Sequence, residues 1–71
     1  MQIYGYQPCG STSYIAAFKP PSSGEEMWKW CRDAFGYAGT VPKARWKNGI
    51  AYGEIEFAQE NDLMLFMLRW A

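Results

Sequence analysis

The chain has no histidine. That removes Ser-His and Cys-His nucleophilic catalysis, imidazole-ligated metals and any histidine switch near neutral pH. Cysteine is scarce: Cys9 and Cys31 are too few for a thiolate zinc site without histidine. An excess of either charge is also missing. Seven basic and seven acidic residues give a formal net charge of zero. This argues against the basic field of a duplex-DNA binder and against an acidic DNA mimic. The first residues show no basic region followed by an apolar run, so no signal peptide is expected, and no stretch reaches the roughly 20 apolar residues of a membrane span. The expectation is a reducing cytoplasm with free thiols, a Cys9–Cys31 disulfide being the lesser alternative. No cofactor is indicated, and no repeat or low-complexity run is present.

What the chain has in quantity is aromatic residues: four Trp, five Tyr and four Phe among 71 residues. Its length predicts one domain spanning 1–71. A chain this short buries only about 60% of its unfolded surface, so its core is marginal unless association adds to it. So many aromatics exceed what a small core needs, and exposed ones favour binding.

The strongest local signal is Asn48-Gly49. A two-residue type I′ turn needs positive φ at both central positions, which Asn-Gly supplies best. Centred there, a hairpin sets Lys47 opposite Ile50, Trp46 opposite Ala51, Arg45 opposite Tyr52, Ala44 opposite Gly53 and Lys43 opposite Glu54. Alternation then gives an apolar face of Ala44, Trp46, Ala51, Gly53, Ile55 and Phe57. The other face carries Lys43, Arg45, Lys47, Ile50, Tyr52, Glu54 and Glu56, with Lys43–Glu54 a cross-strand pair of about 0.2–1 kcal/mol.

After Phe57 the period changes. Ala58-Gln59-Glu60-Asn61-Asp62 is a polar break with Asn61 or a neighbour as cap and acidic residues at the positive helix end. At about 100° per residue Leu63, Phe66, Met67 and Trp70 share one side of the following helix; Met64, Leu65 and Leu68 fall on another, and only Asp62 and Arg69 are polar. Three readings stand: a core helix buried all round, a helix whose Met64/Leu65/Leu68 side meets a second subunit or a foreign partner, and a final strand.

Upstream, Gln2–Gln7 reads as a strand with Tyr4 and Tyr6 on one face, and 8–13 as a loop. Neither Cys9 nor the loop hydroxyls have a base beside them, and Gly10-Ser11-Thr12 lacks the second glycine and lysine of a phosphate loop. Tyr14–Phe18 is a second strand, ended by Lys19-Pro20-Pro21. Ser23-Gly24-Glu25-Glu26 forms a capping box, Ser23 capping and Glu26 reaching back. The helix it opens runs to about Phe35 with Gly36 as its stop. Met27, Trp28, Trp30, Cys31, Ala34 and Phe35 form its apolar arc, and Glu25–Lys29 an exposed pair. The mid-stripe Cys31 reads as a buried small hydrophobe.

The order β-β-α-β-β-α predicts an α+β two-layer sandwich: a four-stranded antiparallel sheet with both helices on one face. Trp28, Cys31, Phe35, Phe66 and Trp70 are expected against its inner side.

The ending Ile55-Glu56-Phe57, a polar break, then Asp62-Leu63-Met64-Leu65-Phe66-Met67-Leu68-Arg69-Trp70 resembles that of many small uncharacterised proteins of tailed bacteriophages. The resemblance covers about a quarter of the chain. It implies a phage origin and a strand–helix ending, with no activity attached.

Three function classes follow. The first is a non-enzymatic protein-binding module, acting on a host protein or defence complex in the host cytoplasm. Its contacts would be Met64, Leu65, Leu68 and Trp70, with Tyr52 and Arg45 on the sheet. A homo-oligomer or virion accessory protein rests on the same surface. The second is a single-stranded nucleic-acid platform built from Lys43, Arg45, Lys47 and Tyr52, with Tyr4 and Tyr6 alongside; Glu54 and Glu56 on the same face oppose it. The third is acid–base catalysis by Glu54 and Glu56, about 7 Å apart along one strand. They are more simply the polar positions of an alternating strand, and the chain is read as not an enzyme.

Overall fold

The computed structural model describes residues 2–20 and 24–70. Its elements are β1 (Ile3–Tyr6), β2 (Tyr14–Phe18), α1 (Glu25–Phe35), β3 (Trp46–Gly49), β4 (Glu54–Phe57) and α2 (Glu60–Trp70). A 3-10 turn over Ile50–Tyr52 joins β3 to β4. The four strands form one antiparallel sheet in the order β1-β2-β4-β3. This is the α+β arrangement that the sequence pattern predicts.

Alternation sorts the sheet. Ala16 and Phe18 of β2 and Ile55 and Phe57 of β4 point inward and are buried, while Glu54 and Glu56 point outward. Both helices cover the inward side. The Phe57 ring lies 5.3 Å from Phe35 of α1 and 5.6 Å from Phe66 of α2, so one sheet side chain touches both helices. Phe18 completes the aromatic centre at 5.9 Å from Phe66. Trp46 is fully buried, and its indole N–H donates to the Gly36 carbonyl at 2.8 Å, so the polar tip of this large apolar side chain is satisfied.

In α1 the inward residues Met27, Cys31 and Phe35 recur every four positions. Trp28 and Trp30 pack at its flanks, while Ala34, expected on the apolar arc, is exposed. Gly36 ends the helix at φ 89°, and its N–H donates to the Arg32 carbonyl. Gly24 occupies the N-cap position without a side-chain cap. The capping box expected at Ser23 lies outside the described residues.

The hairpin departs from expectation. Trp46 stands opposite Phe57, Lys47 opposite Glu56, Asn48 opposite Ile55 and Gly49 opposite Glu54. The reversal is not at Asn48-Gly49 but four residues long. The Asn48 side-chain oxygen accepts from the Ile50 N–H at 3.0 Å, a local turn that competes with the type I′ geometry. The positive φ falls on Gly53, at 81°, not on Asn48 or Gly49. The Gly53 carbonyl accepts from the Phe18 N–H at 2.7 Å, so the turn is held by the neighbouring strand. Relative to the expected pairing, Trp46 slips six positions along its partner. Six is even, so every side chain of β3 and β4 keeps its face. The Lys43–Glu54 pair is lost, because Lys43 lies in the turn before β3.

Candidate protein-interaction surface

α2 begins at Glu60, so Asn61 lies inside its first turn rather than before it. Leu63 and Phe66 are buried, and Met67 and Trp70 are packed against the core. Trp70 meets Trp30 edge-on at 6.3 Å, with Trp30 in turn against Phe66. Trp70, one of the expected interface residues, is therefore only half-buried at the helix end. Its indole N–H is enclosed and finds no acceptor among the described residues.

The opposite side of α2 carries Met64, Leu65 and Leu68, respectively 53%, 50% and 82% exposed. A spacing of one and four residues sets the three on one continuous strip. Neither the expectation of a helix buried on all sides nor that of a final strand is met.

Asp62 was expected in a polar stripe with Arg69. It is instead buried, and both of its oxygens accept from Arg45: Nε at 3.1 Å and Nη2 at 2.9 Å. The guanidinium also lies 5.4 Å from the centre of the Phe35 ring. The hydrogen bonds it donates to Asp62 hold the Arg45 pKa above its ordinary value. Arg45 is thus tied to the start of α2 on the helix side and is not displayed on the outer sheet face.

The other candidates are dispersed. Tyr52 sits on the 3-10 turn and is 87% exposed. Lys43 lies in the turn before β3, and Lys47 on the outer face opposite Glu56. Tyr4 and Tyr6 are on that outer face as well, but on β1 at the far edge of the sheet. Lys43, Arg45, Lys47 and Tyr52 therefore do not share one surface. The register slip is the physical reason, since it carries Tyr52 out of β4 and leaves Arg45 before β3.

Sequence reasoning missed a concavity of about 690 Å³ between the start of α1 and the β3–β4 turn, lined by Pro20, Glu25, Trp28, Ile50 and Tyr52 among others. Only folding brings these residues together, and no motif marks them. No group of three His, Cys, Asp or Glu able to hold a metal occurs among the described residues. No described helix is long and apolar enough to cross a membrane. Cys31 is buried and Cys9 exposed, both free. Burial pushes the Cys31 thiol up to about 12, which makes it a poor nucleophile.

No protein-family model, curated protein or solved structure matches the chain.

Proposed function

We propose that the chain is a small non-enzymatic protein-binding module, phage-encoded, that docks the Met64/Leu65/Leu68 strip of α2 onto a host protein in the host cytoplasm and inhibits or redirects it. The observation that carries this reading is the strip itself: three large apolar side chains at least half exposed on one helix. Such a strip costs solubility when bare and releases water when covered. Leu68 stands at its centre, with Met64 and Leu65 beside it. A homo-oligomeric or virion role uses the same strip with a different occupant. The single-strand reading draws less support, because Arg45 is engaged by Asp62, Lys43 and Tyr52 sit in turns, and Lys47 shares the outer face with Tyr4 and Tyr6 only from the opposite edge of the sheet, beside Glu56.

Affinity capture from a bacterial lysate, with and without nuclease, tests the reading when run beside Leu68→Glu. A stoichiometric host protein that survives nuclease and is lost with Leu68→Glu supports it. Partners that vanish with nuclease favour the single-strand platform. A host protein captured equally by Leu68→Glu moves the contact off α2.

A further inference from the structure

We propose that the free edge of β1 is a self-association site, where two copies pair β1 antiparallel across a two-fold axis and make one continuous sheet. This does not rest on the α2 reading above: the contact is made by the β1 edge, and Met64 is the one residue it shares with the α2 strip.

The two edges of the sheet are β1 and β3. At the β3 edge the Trp46 carbonyl is already taken by the Gly39 N–H at 3.1 Å, and Lys47 stands on the strand. Lysine and a covering loop are ordinary ways of blocking an edge. Among the described residues the β1 edge has neither. The Phe18 N–H donates toward β4, to the Gly53 carbonyl. Alternation therefore turns Ala17 and Ile15 toward β1, where they stand opposite Tyr4 and Tyr6. The backbone N–H and C=O of Ile3 and Gly5 point away from the sheet, and no described residue bonds them.

Charge fits a second copy. No Asp, Glu, Lys or Arg occurs before Lys19. Two identical edges brought together thus meet no like charges from this segment, which a two-fold contact would otherwise set face to face. Geometry fits too. Antiparallel pairing in one sheet places the axis perpendicular to it, so both α2 helices end on the same side. Leu63 and Met67 lie over Gly5 of β1. Met64, about 100° round from Leu63, points past the edge. Strands spaced about 4.8 Å apart bring the two α2 helices within roughly 10–15 Å, a gap that methionine side chains span. On the outer face, the register pairing Ile3 with Gly5 of the other copy sets Tyr4 beside its own counterpart.

The area is small. Tyr4, Tyr6, Met64 and the strand edge offer roughly 500 Å² per copy, at the lower end for a specific contact. The dimer is accordingly weak, with a dissociation constant of about 10–100 μM.

Sedimentation equilibrium of the whole chain from about 1 μM to 1 mM tests this. The expected result is a monomer–dimer equilibrium. Tyr4→Lys and Tyr4→Glu, both at an exposed position, each weaken it at least about tenfold by placing like charges opposite one another. Mixing the two variants restores the dimer. A native chain that stays monomeric throughout overturns the proposal. So does a dimer indifferent to both Tyr4 variants, and so does one that Leu68→Glu dissolves while they leave it intact.

Discussion

The two helices have the same length, eleven residues, and cover the same sheet face, yet they end in opposite states. α1 buries Met27, Cys31 and Phe35 and turns Glu25, Glu26, Lys29 and Asp33 to water. Its ion pairs, Glu25–Lys29 and Arg32–Asp33, stay within the helix. α2 buries Leu63 and Phe66 and still presents Met64, Leu65 and Leu68. Its one strong polar tie among the described residues, Asp62–Arg45, reaches across to the residue before β3. A helix on a two-layer sandwich can bury one stripe, and α1 has apolar residues for one stripe. α2 has enough for two. The surplus is not a packing failure, since the space between α2 and the sheet is already filled by Phe18, Phe57 and Phe66.

The largest expected effect comes from removing what the helices share. Phe57→Ala should cost about 3–5 kcal/mol, because it empties the centre between Phe35 and Phe66. Urea unfolding followed by far-UV circular dichroism should show a single transition at lower midpoint. Two transitions would mean that the helices are stabilised independently, and the contrast between them would then concern two units rather than one core.

Next comes the cross-tie that α2 has and that α1, among the described residues, lacks. Asp62 is 2% exposed, whereas half of the Arg45 side chain reaches water. Arg45→Ala strands a buried carboxylate and should cost about 3 kcal/mol. Asp62→Ala leaves a guanidinium that can turn to solvent, and should cost about 1–2 kcal/mol. The asymmetry is the test. Equal losses in chemical denaturation would show that Asp62 is hydrated after all.

Inside α1, Cys31 supplies a pH dependence. Burial raises its pKa from 9.0 to about 12, so the folded state keeps the neutral thiol while the unfolded chain ionises. Its contribution is complete below pH 9 and is lost as pH rises from 9 toward 12, by about 1.4 kcal/mol per unit. Native stability measured from pH 8 upward should fall more steeply than that of Cys31→Ala. Parallel curves would show that the thiol is open to water.

Much of this architecture is legible in the sequence because period and burial are coupled. The alternation Glu54-Ile55-Glu56-Phe57 and the four-residue recurrence Met27-Cys31-Phe35 each name their own inner face. So does the split of α2 into a buried and an exposed side. The turn was not legible. Asn48-Gly49 satisfies a type I′ reversal locally, but Gly53 satisfies a longer one and also bonds Phe18 of β2, a contact that only the assembled sheet reveals. Asp62 and Arg45 were unreadable for the same reason. Seventeen residues separate them, and each looks like an ordinary solvated charge.

The smallest effects should fall on the outer faces, where the comparison is sharpest. Lys29→Ala breaks the 3.2 Å pair with Glu25, but both side chains are more than half exposed, so stability should change by no more than a few tenths of a kcal/mol. Leu68→Glu, at a position 82% exposed, should likewise stay within about 0.5 kcal/mol. The two variants should part in a different measurement. Binding of a dye that reports exposed apolar surface should be unchanged by Lys29→Ala and reduced by Leu68→Glu, since only α2 holds such a strip. A loss of about 2 kcal/mol or more from Leu68→Glu would mean that Leu68 is covered in the free protein. α2 would then be as closed as α1, and the surplus that distinguishes it would already be in use.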